Sequence, residues 1–338
     1  MKLKSLVVFV AVLLMGGCAS SSKNEKSFDS QLYDGKPVET LMMTDPPKTE
    51  KEAIERGDKA IRENNQDLAL FEYIRSLDFK DGQYKDKTLY TIGRIHQSRN
   101  NYSLAEKAYF LALKANPDNV AVLQQIGSNF SKQGETKQGA VYFIRAINAD
   151  QVRLKSREKL ERDSLGEVQI HALKSDEQSP AMAYMGLGII SDLDGKHSLA
   201  QRFFKKALKI KPDSMMLLLN IGYSYYMSGD LEEAKRSTLA ALDHAPNNPK
   251  AINNLALIYL AQGSTFKALN TFKRHMKDYE ALNNVGYFLI LQGKAEEAVT
   301  YLQQAIDKKS SYYPLANENL ERALAEIKQD SIDNKKTR

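Results

Sequence analysis

The chain has 338 residues, of which 42% are hydrophobic, so it can bury the core of one large or two ordinary domains. Its 18 glycines and 9 prolines are too few for a collagen-like or low-complexity chain. The net charge is only +6, and basic residues are interspersed with acidic ones. This indicates a solvated surface rather than the concentrated basic face of a nucleic-acid groove, so we expect no nucleic-acid partner.

Residues 1–17 are predicted to be a signal peptide. Lys2 and Lys4 precede an unbroken apolar run over residues 6–15. Ten residues are too few for a transmembrane helix, which needs about 20. A positive start followed by a short apolar run is instead typical of a cleaved secretory signal.

Cys18 is the single cysteine of the chain and directly follows two glycines, with Met15 before them. This resembles the bacterial lipobox, in which the cysteine is acylated, although Leu is usual where Met15 stands. A lone thiol is unfavourable in an oxidising compartment, and several acyl chains on one cysteine anchor a protein stably. The alternative is an ordinary signal peptide with an incidental cysteine. By its resemblance to enterobacterial sorting, Ala19 favours a lipid anchor in the outer membrane, facing the periplasm.

Residues 18–50 are predicted to be a flexible tether, because they are rich in Ser, Lys, Asp and Pro and show no helical period. As a random coil, the 32 residues that follow Cys18, residues 19–50, would span roughly 30 Å. Leu41, Met42 and Met43 form a small apolar cluster that offers an alternative, a docked segment.

The body, residues 51–328, carries one pattern seven times. Each copy starts from a small residue, the origin, from which we count positions. Small residues recur at +12 and +19, a large side chain usually stands at +16, and a proline ends three copies at +24. We interpret the origin as the place where helix A approaches the small residue at +12 of helix B. The origins are Gly57, Gly93, Gly127, Gly188, Gly222, Ala256 and Gly286. A second glycine at +7 is predicted to close the turn in five copies: Gly134, Gly195, Gly229, Gly263 and Gly293.

This pattern, at its 34-residue spacing, resembles the tetratricopeptide repeat. The resemblance implies an all-α, right-handed solenoid of about seven helix-turn-helix repeats. Apolar residues at helical spacing between Pro314 and Lys328 predict a capping helix, which an open-ended solenoid needs. Residues 329–338 are predicted to be a disordered tail.

Two irregularities interrupt the array. Between the third and fourth copies stand 27 extra residues, and the segment 151–178 is highly charged. The spacing of Glu158 to Arg162 and of Lys159 to Asp163 predicts a charged helical insertion, one helix or a pair. A charged spacer, a hinge or a docking arm are the alternatives. The last two origins are only 30 residues apart, which predicts a shortened turn.

No catalytic motif is present, and the five histidines are scattered without the i,i+4 spacing of a metal site. We therefore expect no enzymatic activity, no cofactor, no metal and no small-molecule substrate. Function is expected to reside in a surface that binds other proteins.

The predicted binding surface is the concave face, formed by helix A residues at −6, −3, −2, +1 and +4. Asn220, Asn254 and Asn284 share position −2, and a side-chain amide offers the donor and the acceptor that match an extended peptide backbone. The alternative is that these amides only bond neighbouring helices. The second and third copies are more polar there, with Arg94, Gln97, Gln124 and Gln125, so the two halves are expected to hold different partners. The predicted partner-binding residues are Asn220, Tyr223, Tyr226, Asn253, Asn254, Leu257, Asn283, Asn284 and Tyr287.

Residues 250–323 contain NNLALIYLAQGSTFKAL and end on SSYYPLANENLERA. Together with the lipobox they resemble the TadD-type lipoproteins of tight-adherence (Flp, type IVb) pilus assembly. The resemblance implies a periplasmic factor whose partners belong to the pilus and secretion machinery, such as a secretin. An adaptor for envelope proteases or peptidoglycan hydrolases, and a pilotin-like secretin assembly factor, are the alternatives.

Overall fold

The computed structural model describes residues 30–37, 40–41, 45–162 and 165–336. Cys18, the predicted signal peptide and Met42 and Met43 lie outside these residues, so the predictions about them stay predictions. The chain divides into two compact units, the first ending at Tyr84 and the second beginning at Lys85.

A short 3-10 helix over Ser30–Leu32 and sixteen α-helices lie in the described ranges, and these ranges contain no strand. In chain order the α-helices are α1 Glu50–Arg62, α2 Gln66–Ser76, α3 Lys85–Ser98, α4 Tyr102–Ala115, α5 Val120–Lys132, α6 Thr136–Arg153, α7 Glu167–Ala172, α8 Ala181–Leu193, α9 His197–Ile210, α10 Met215–Met227, α11 Leu231–His244, α12 Pro249–Ala261, α13 Thr265–Lys273, α14 Asp278–Leu291, α15 Ala295–Lys308 and α16 Pro314–Lys336.

The first unit is the α1/α2 hairpin with the segment that precedes it. Leu32 is 1% exposed, and a methyl group on Gly35 would lie 2.8 Å from a carboxylate oxygen of Asp67 at the start of α2. Arg56 of α1 donates to the carbonyl oxygen of Asp45 at 2.6 Å. The sequence predicted a flexible tether as far as residue 50, whereas these described residues contact the hairpin through Arg56 and Asp67.

The second unit consists of six further hairpins, α3/α4, α5/α6, α8/α9, α10/α11, α12/α13 and α14/α15, followed by α16. Helix α16 packs against both α14 and α15, as expected of a capping helix. With the hairpin of the first unit, the described chain has the seven repeats that were predicted, so the all-α, tetratricopeptide-repeat fold class is confirmed. The predicted disordered tail, residues 329–338, is instead helical as far as Lys336.

Five of the six origin glycines pack against a large side chain at +16, and Gly222 packs against Thr238 there. A methyl group on Gly127 would lie 2.6 Å from the ring of Phe143, which stands at +16. A methyl group on Gly188 would lie at the same distance from the ring of Phe204. The small residue at +12 faces the origin as predicted, since a methyl group on Gly139 would lie 3.0 Å from the backbone oxygen of Gly127, and one on Gly222 would lie 3.3 Å from that of Ala234. The missing side chain leaves a hollow that the residue at +16 fills.

The turn between the paired helices requires a left-handed backbone. The five predicted glycines at +7 have φ between +71° and +86°. In the first two repeats Asn64 and Asn100 take this position, with φ of +58° and +59°. Asparagine tolerates this region better than other side chains, so the same turn is made without glycine.

The predicted charged helical insertion, 151–178, is mostly irregular. Helix α6 continues to Arg153, because Gln151 stands where three other repeats have proline. Beyond it, the described residues of the insertion form only the six-residue α7. Residues 154–180, which we name the strap, also bury Leu160, Ile170 and Leu173.

Side-chain amides on α6 hold the strap extended. Asn148 donates to the carbonyl oxygen of Leu160 and accepts from its N–H, at 2.9 and 2.8 Å. Gln151 makes the same pair of hydrogen bonds with Lys174, at 2.8 and 2.9 Å. These bonds, together with the buried leucines, outweigh i,i+4 charge pairs, each of which stabilises a helix by only about 0.2–0.5 kcal/mol.

Repeat stacking continues across the strap. Helix α8 packs against α5 and α6, and the ring of Phe143 lies between Gly127 of α5 and Gly186 of α8. The Gly-x-Gly formed by Gly186 and Gly188 is thus explained by packing on both sides. The A helices of the second unit, α3, α5, α8, α10, α12 and α14, form one continuous row, whose open side we name the A face.

Candidate functional site

The centre of the predicted site is a shallow hollow between α10 and α12. The residues that line it are Gly222, Tyr223, Tyr226, Asn254, Leu257 and Ile258. It encloses no cavity that would hold a water molecule, whereas pockets for small molecules usually hold about 300–1,000 Å³. The hollow therefore suits a side chain of a partner lying across the A face better than a small molecule.

The tyrosines of the hollow differ in their exposure and in their contacts with other repeats. Tyr223 is 45% exposed, and its ring centroid lies 6.1 Å from that of Tyr226. The Tyr226 hydroxyl accepts a long hydrogen bond, 3.5 Å, from the side-chain amide of Gln292 at the end of α14. Tyr223 is therefore open to a partner, while Tyr226 also links the fifth repeat to the seventh. Tyr287 is half-buried and packs against Phe288, with ring centroids 5.3 Å apart.

Two of the three asparagines at position −2 have unused amides. Asn220 and Asn254 are half-buried, and neither side chain hydrogen bonds any described residue. Asn284, by contrast, accepts from Asn283 at 3.4 Å and donates to the sulfur of Met276 at 3.3 Å. The structure thus leaves two amides available for a peptide backbone and engages the third.

Asn283 is not available to a partner. It is 2% exposed, and its carbonyl oxygen accepts from the buried amide of Asn319 on α16 at 2.9 Å. Its role is to hold the capping helix, so the prediction that it contacts a partner is corrected. Asn253, the equivalent residue of the sixth repeat, is half-buried without a hydrogen bond to the described chain.

Positions −3 and +4 are largely packing positions. Leu219 at −3 and Leu260 and Ile290 at +4 are all buried. The next helix in the row covers that side of each A helix, so only part of the predicted face is exposed. Sequence reasoning missed position +5, where Leu193, Met227 and Leu291 are 72%, 47% and 51% exposed. The signal was an apolar residue directly before the turn, at a helix end where a polar residue is usual.

The A face of α3 and α5 is polar. Arg94 at +1 and Lys132 at +5 are exposed, and neither forms an ion pair within the described chain. Burial raises the pKa of Tyr109, so its hydroxyl stays protonated and donates to Gln97 at 3.1 Å. On α5, the polar side chain of Gln125 is half-buried. The two halves of the face therefore differ, as the sequence indicated.

The described residues offer no constellation for metal binding or nucleophilic catalysis. No group of three or more His, Cys, Asp or Glu side chains among them is arranged to hold a metal ion. Asp192 accepts from Ser224 at 2.8 Å and contacts His197 at 2.9 Å. Serine and histidine both bond the carboxylate rather than each other, and Ser224 is fully buried. The cluster fastens α8, α9 and α10 together.

No α-helix in the described ranges combines the length and the hydropathy needed to cross a bilayer.

Models of the tetratricopeptide repeat family match four stretches of the chain: residues 86–119, 181–214, 219–275 and 280–309. The matches fall on α3/α4, α8/α9, α10 to α13 and α14/α15. The stretch that includes the strap lies between matched residues.

Curated proteins and solved structures are similar to parts of the chain. Photosystem I assembly protein Ycf3 of Rippkaea orientalis is 34% identical over 86 residues, which are 25% of this chain and 50% of that protein. Human tetratricopeptide repeat protein 6 is 29% identical over 116 residues, 33% of this chain and 22% of that protein. The chain thus spans half or less of these relatives. A tetratricopeptide repeat protein from Parabacteroides merdae superposes with a TM-score of 0.53 at 15% identity, covering 82% of this chain and 100% of that chain.

Proposed function

Because the chain is a tetratricopeptide-repeat protein, we propose that it is a non-catalytic scaffold that binds a segment of a partner protein along its A face. The observation that carries this proposal is the set of large apolar side chains exposed on α8 and α10, two consecutive A helices. Leu193 on α8 is 72% exposed. Met216, Tyr223 and Met227 on α10 are 58%, 45% and 47% exposed. Large apolar side chains exposed together favour binding, because leaving them in water is unfavourable.

The unused amides of Asn220 and Asn254 support the same proposal. The strap supplies an internal precedent, since Asn148 and Gln151 each grip one backbone residue through a pair of hydrogen bonds. Amides at −2 would bind an extended partner in this way, whatever its side chains, while Tyr223 and its neighbours would select the side chains.

We further propose that the scaffold is lipid-anchored through Cys18 at the periplasmic face of the outer membrane and supports assembly of a tight-adherence pilus and its secretion machinery. The proposal is supported by the lipobox-like N-terminus and by residues 250–323, which resemble the TadD-type lipoproteins. The Ycf3 relatives are named as assembly proteins, which is the same kind of role. Deleting the gene should abolish surface pili and leave pilin synthesis intact. Unchanged piliation would contradict this role.

The anchor has its own test. Metabolic labelling with palmitate should label the wild-type protein, and Cys18→Ser should remove the label and leave the signal peptide uncleaved. Equal labelling of both proteins would show that Cys18 is not the acylated residue.

Binding at the A face is tested by crosslinking followed by calorimetry. A photo-reactive residue in place of Tyr223 should crosslink a partner in cells, whereas one in place of Lys209, exposed on helix B of the fourth repeat, should not. The crosslinked segment is then titrated into Asn220→Ala and Asn254→Ala. Each variant should weaken binding by about 1 kcal/mol, the usual net value of one hydrogen bond, with little change in stability.

Asn283→Ala is the matched control. Since Asn283 bonds Asn319 of α16, this variant should lower the melting temperature and leave the affinity nearly unchanged. If Asn254→Ala instead lowers stability and spares affinity, the amides at −2 are structural and the proposed binding mode is wrong.

A further inference from the structure

The A face changes its electrical character along the second unit. Positions −2, +1 and +5 of α8, α10, α12 and α14 are twelve residues, and no Asp, Glu, Lys, Arg or His is among them. In a chain that is 27% charged, about three charged residues are expected in such a set. The nearest charges lie at the edge of this region: Lys250 and Glu280 stand at −6, and Asp192 at +4 is held by His197 and Ser224.

The same face of α3 and α5 is basic. Positions −6, −2, +1 and +5 of these two helices include Lys87, Arg94 and Lys132, and no acidic residue. Arg94 and Lys132 are exposed, and no carboxylate of the described chain forms an ion pair with either of them. Two uncompensated cations on the side where the neighbouring face is uncharged indicate that a negative charge from elsewhere belongs there.

We propose that the partner segment has two parts, a cluster of acidic residues that binds at Arg94 and Lys132 and an uncharged, apolar stretch that crosses α8 to α14. This inference rests on the proposed function, because it names the chemistry of the segment that the A face binds. Charge complementarity fixes the first part, and the absence of charge together with the exposed Tyr223 and Leu291 fixes the second.

The helix spacing sets the distance between the two parts. Neighbouring helices pack about 8–10 Å apart, so one step separates α5, which carries Lys132, from α8 by roughly 10 Å, and three steps separate α8 from α14 by roughly 30 Å. An extended chain advances about 3.3 Å per residue. The acidic cluster, which spans α3 and α5, therefore stands about three residues from the apolar stretch, which is about nine residues long.

The test uses the full chain in detergent and dye-labelled peptides that follow this design. The first peptide has four aspartates, a three-residue Gly/Ser spacer and nine residues that alternate Leu and Ser. In the others, Asn or Lys replaces the aspartates, or Ser replaces the leucines. Fluorescence anisotropy should rank the affinities as Asp above Asn above Lys, and the peptide without leucines should bind at least tenfold more weakly than the first.

Variants of the protein assign each part to its site. Arg94→Gln combined with Lys132→Gln should weaken the Asp peptide about fivefold, the middle of the range for two exposed charge pairs, and leave the Asn peptide unchanged. Lys114→Gln combined with Lys209→Gln, which removes two exposed charges from B helices, should alter neither affinity. Tyr223→Ala should weaken both peptides.

The outcomes separate this inference from the proposed function. If Tyr223→Ala weakens every peptide but Asp, Asn and Lys peptides bind equally, the A face binds peptides and the two-part partner is wrong. The same conclusion follows if the control pair of charges matters as much as Arg94 and Lys132. If Tyr223→Ala changes the affinity of no peptide, binding at the A face itself is refuted.

Discussion

Replacing Gly186 by alanine should weaken the junction between the third and fourth repeats. The added methyl group would lie 2.8 Å from Cδ2 of Phe143 and closer still to Cε2 and Cζ. Carbon atoms that pack well are separated by about 3.5–4.0 Å. The ring has no room to retreat, because Phe143 is 2% exposed and its other edge faces Gly127, where a methyl group would lie only 2.6 Å away.

The magnitude follows from two opposing effects. Overfilling a well-packed core destabilises a protein by about 1–3 kcal/mol, and a ring confined on both sides places this case near the upper end. Alanine is favoured over glycine inside a helix by up to about 1 kcal/mol, which offsets part of the strain. We expect Gly186→Ala to lower the free energy of unfolding by about 2 kcal/mol.

Urea denaturation followed by circular dichroism measures this change, and a double-mutant cycle assigns it. Phe143→Leu should destabilise the wild type but recover part of the loss in Gly186→Ala, because leucine fills the equivalent +16 position at Leu302 beside Gly286. If Gly186→Ala is as stable as the wild type, or if the two substitutions are additive, the confined ring is not what joins these repeats.

Three further predictions concern the strap and the first unit. Gln151→Ala removes both hydrogen bonds to the backbone of Lys174 and should weaken docking of the strap by about 2 kcal/mol. Trypsin should therefore cleave the strap faster in this variant. Unchanged cleavage would show that the Gln151 amide does not hold the strap. The hydrogen bond from Arg153 lowers the pKa of Asp176 to about 2; because this pKa is depressed, its contribution to docking is present above the ordinary carboxyl value of 3.8 and is lost as pH falls through about 2. Hydrogen exchange of the strap should therefore accelerate only below about pH 4, and acceleration already near pH 5 would rule this ion pair out as the cause. Leu32→Ala should destabilise the first unit by about 2–5 kcal/mol in thermal unfolding, as for other buried leucines, and an unchanged melting curve would show that residues 30–37 do not matter to it.

The repeat pattern made most of the fold predictable, because the same residue types recur wherever two helices must approach or turn. Gly134 and its equivalents predicted the turns, and all of them have positive φ. Asn64 and Asn100 were missed, although asparagine is the side chain best able to replace glycine there. The approach of the small residue at +12 to the origin was predicted, but the contact of the +16 side chain with the origin was not, because the sequence shows which residues are small and not which hollow a large neighbour fills.

The candidate site was predictable only by position. Asn220, Asn254 and Asn284 look equivalent in the sequence, yet Asn284 is bonded to Asn283 and Met276. The difference arises because α16 covers the last repeat and draws Asn283 into the core, which no pattern within the repeats indicates. The prediction of a helical insertion failed for a similar reason. The conformation of the strap is set by side-chain amides of α6 that lie outside its own sequence.

The pairing of each origin with position +16 determines where the array tolerates recombination. A crossover placed between repeats, at Pro117, Pro212 or Pro246, transfers an origin together with the side chain that fills its hollow. A crossover in a +7 turn separates the origin from its own +16 side chain. It would, for example, place Gly222, which packs against the small Thr238, beside a ring such as Phe204. The boundary after the third repeat is different, because Phe143 fills a hollow on both sides of it. A library of shuffled chains should therefore retain Phe143 and Gly186 together among its folded members.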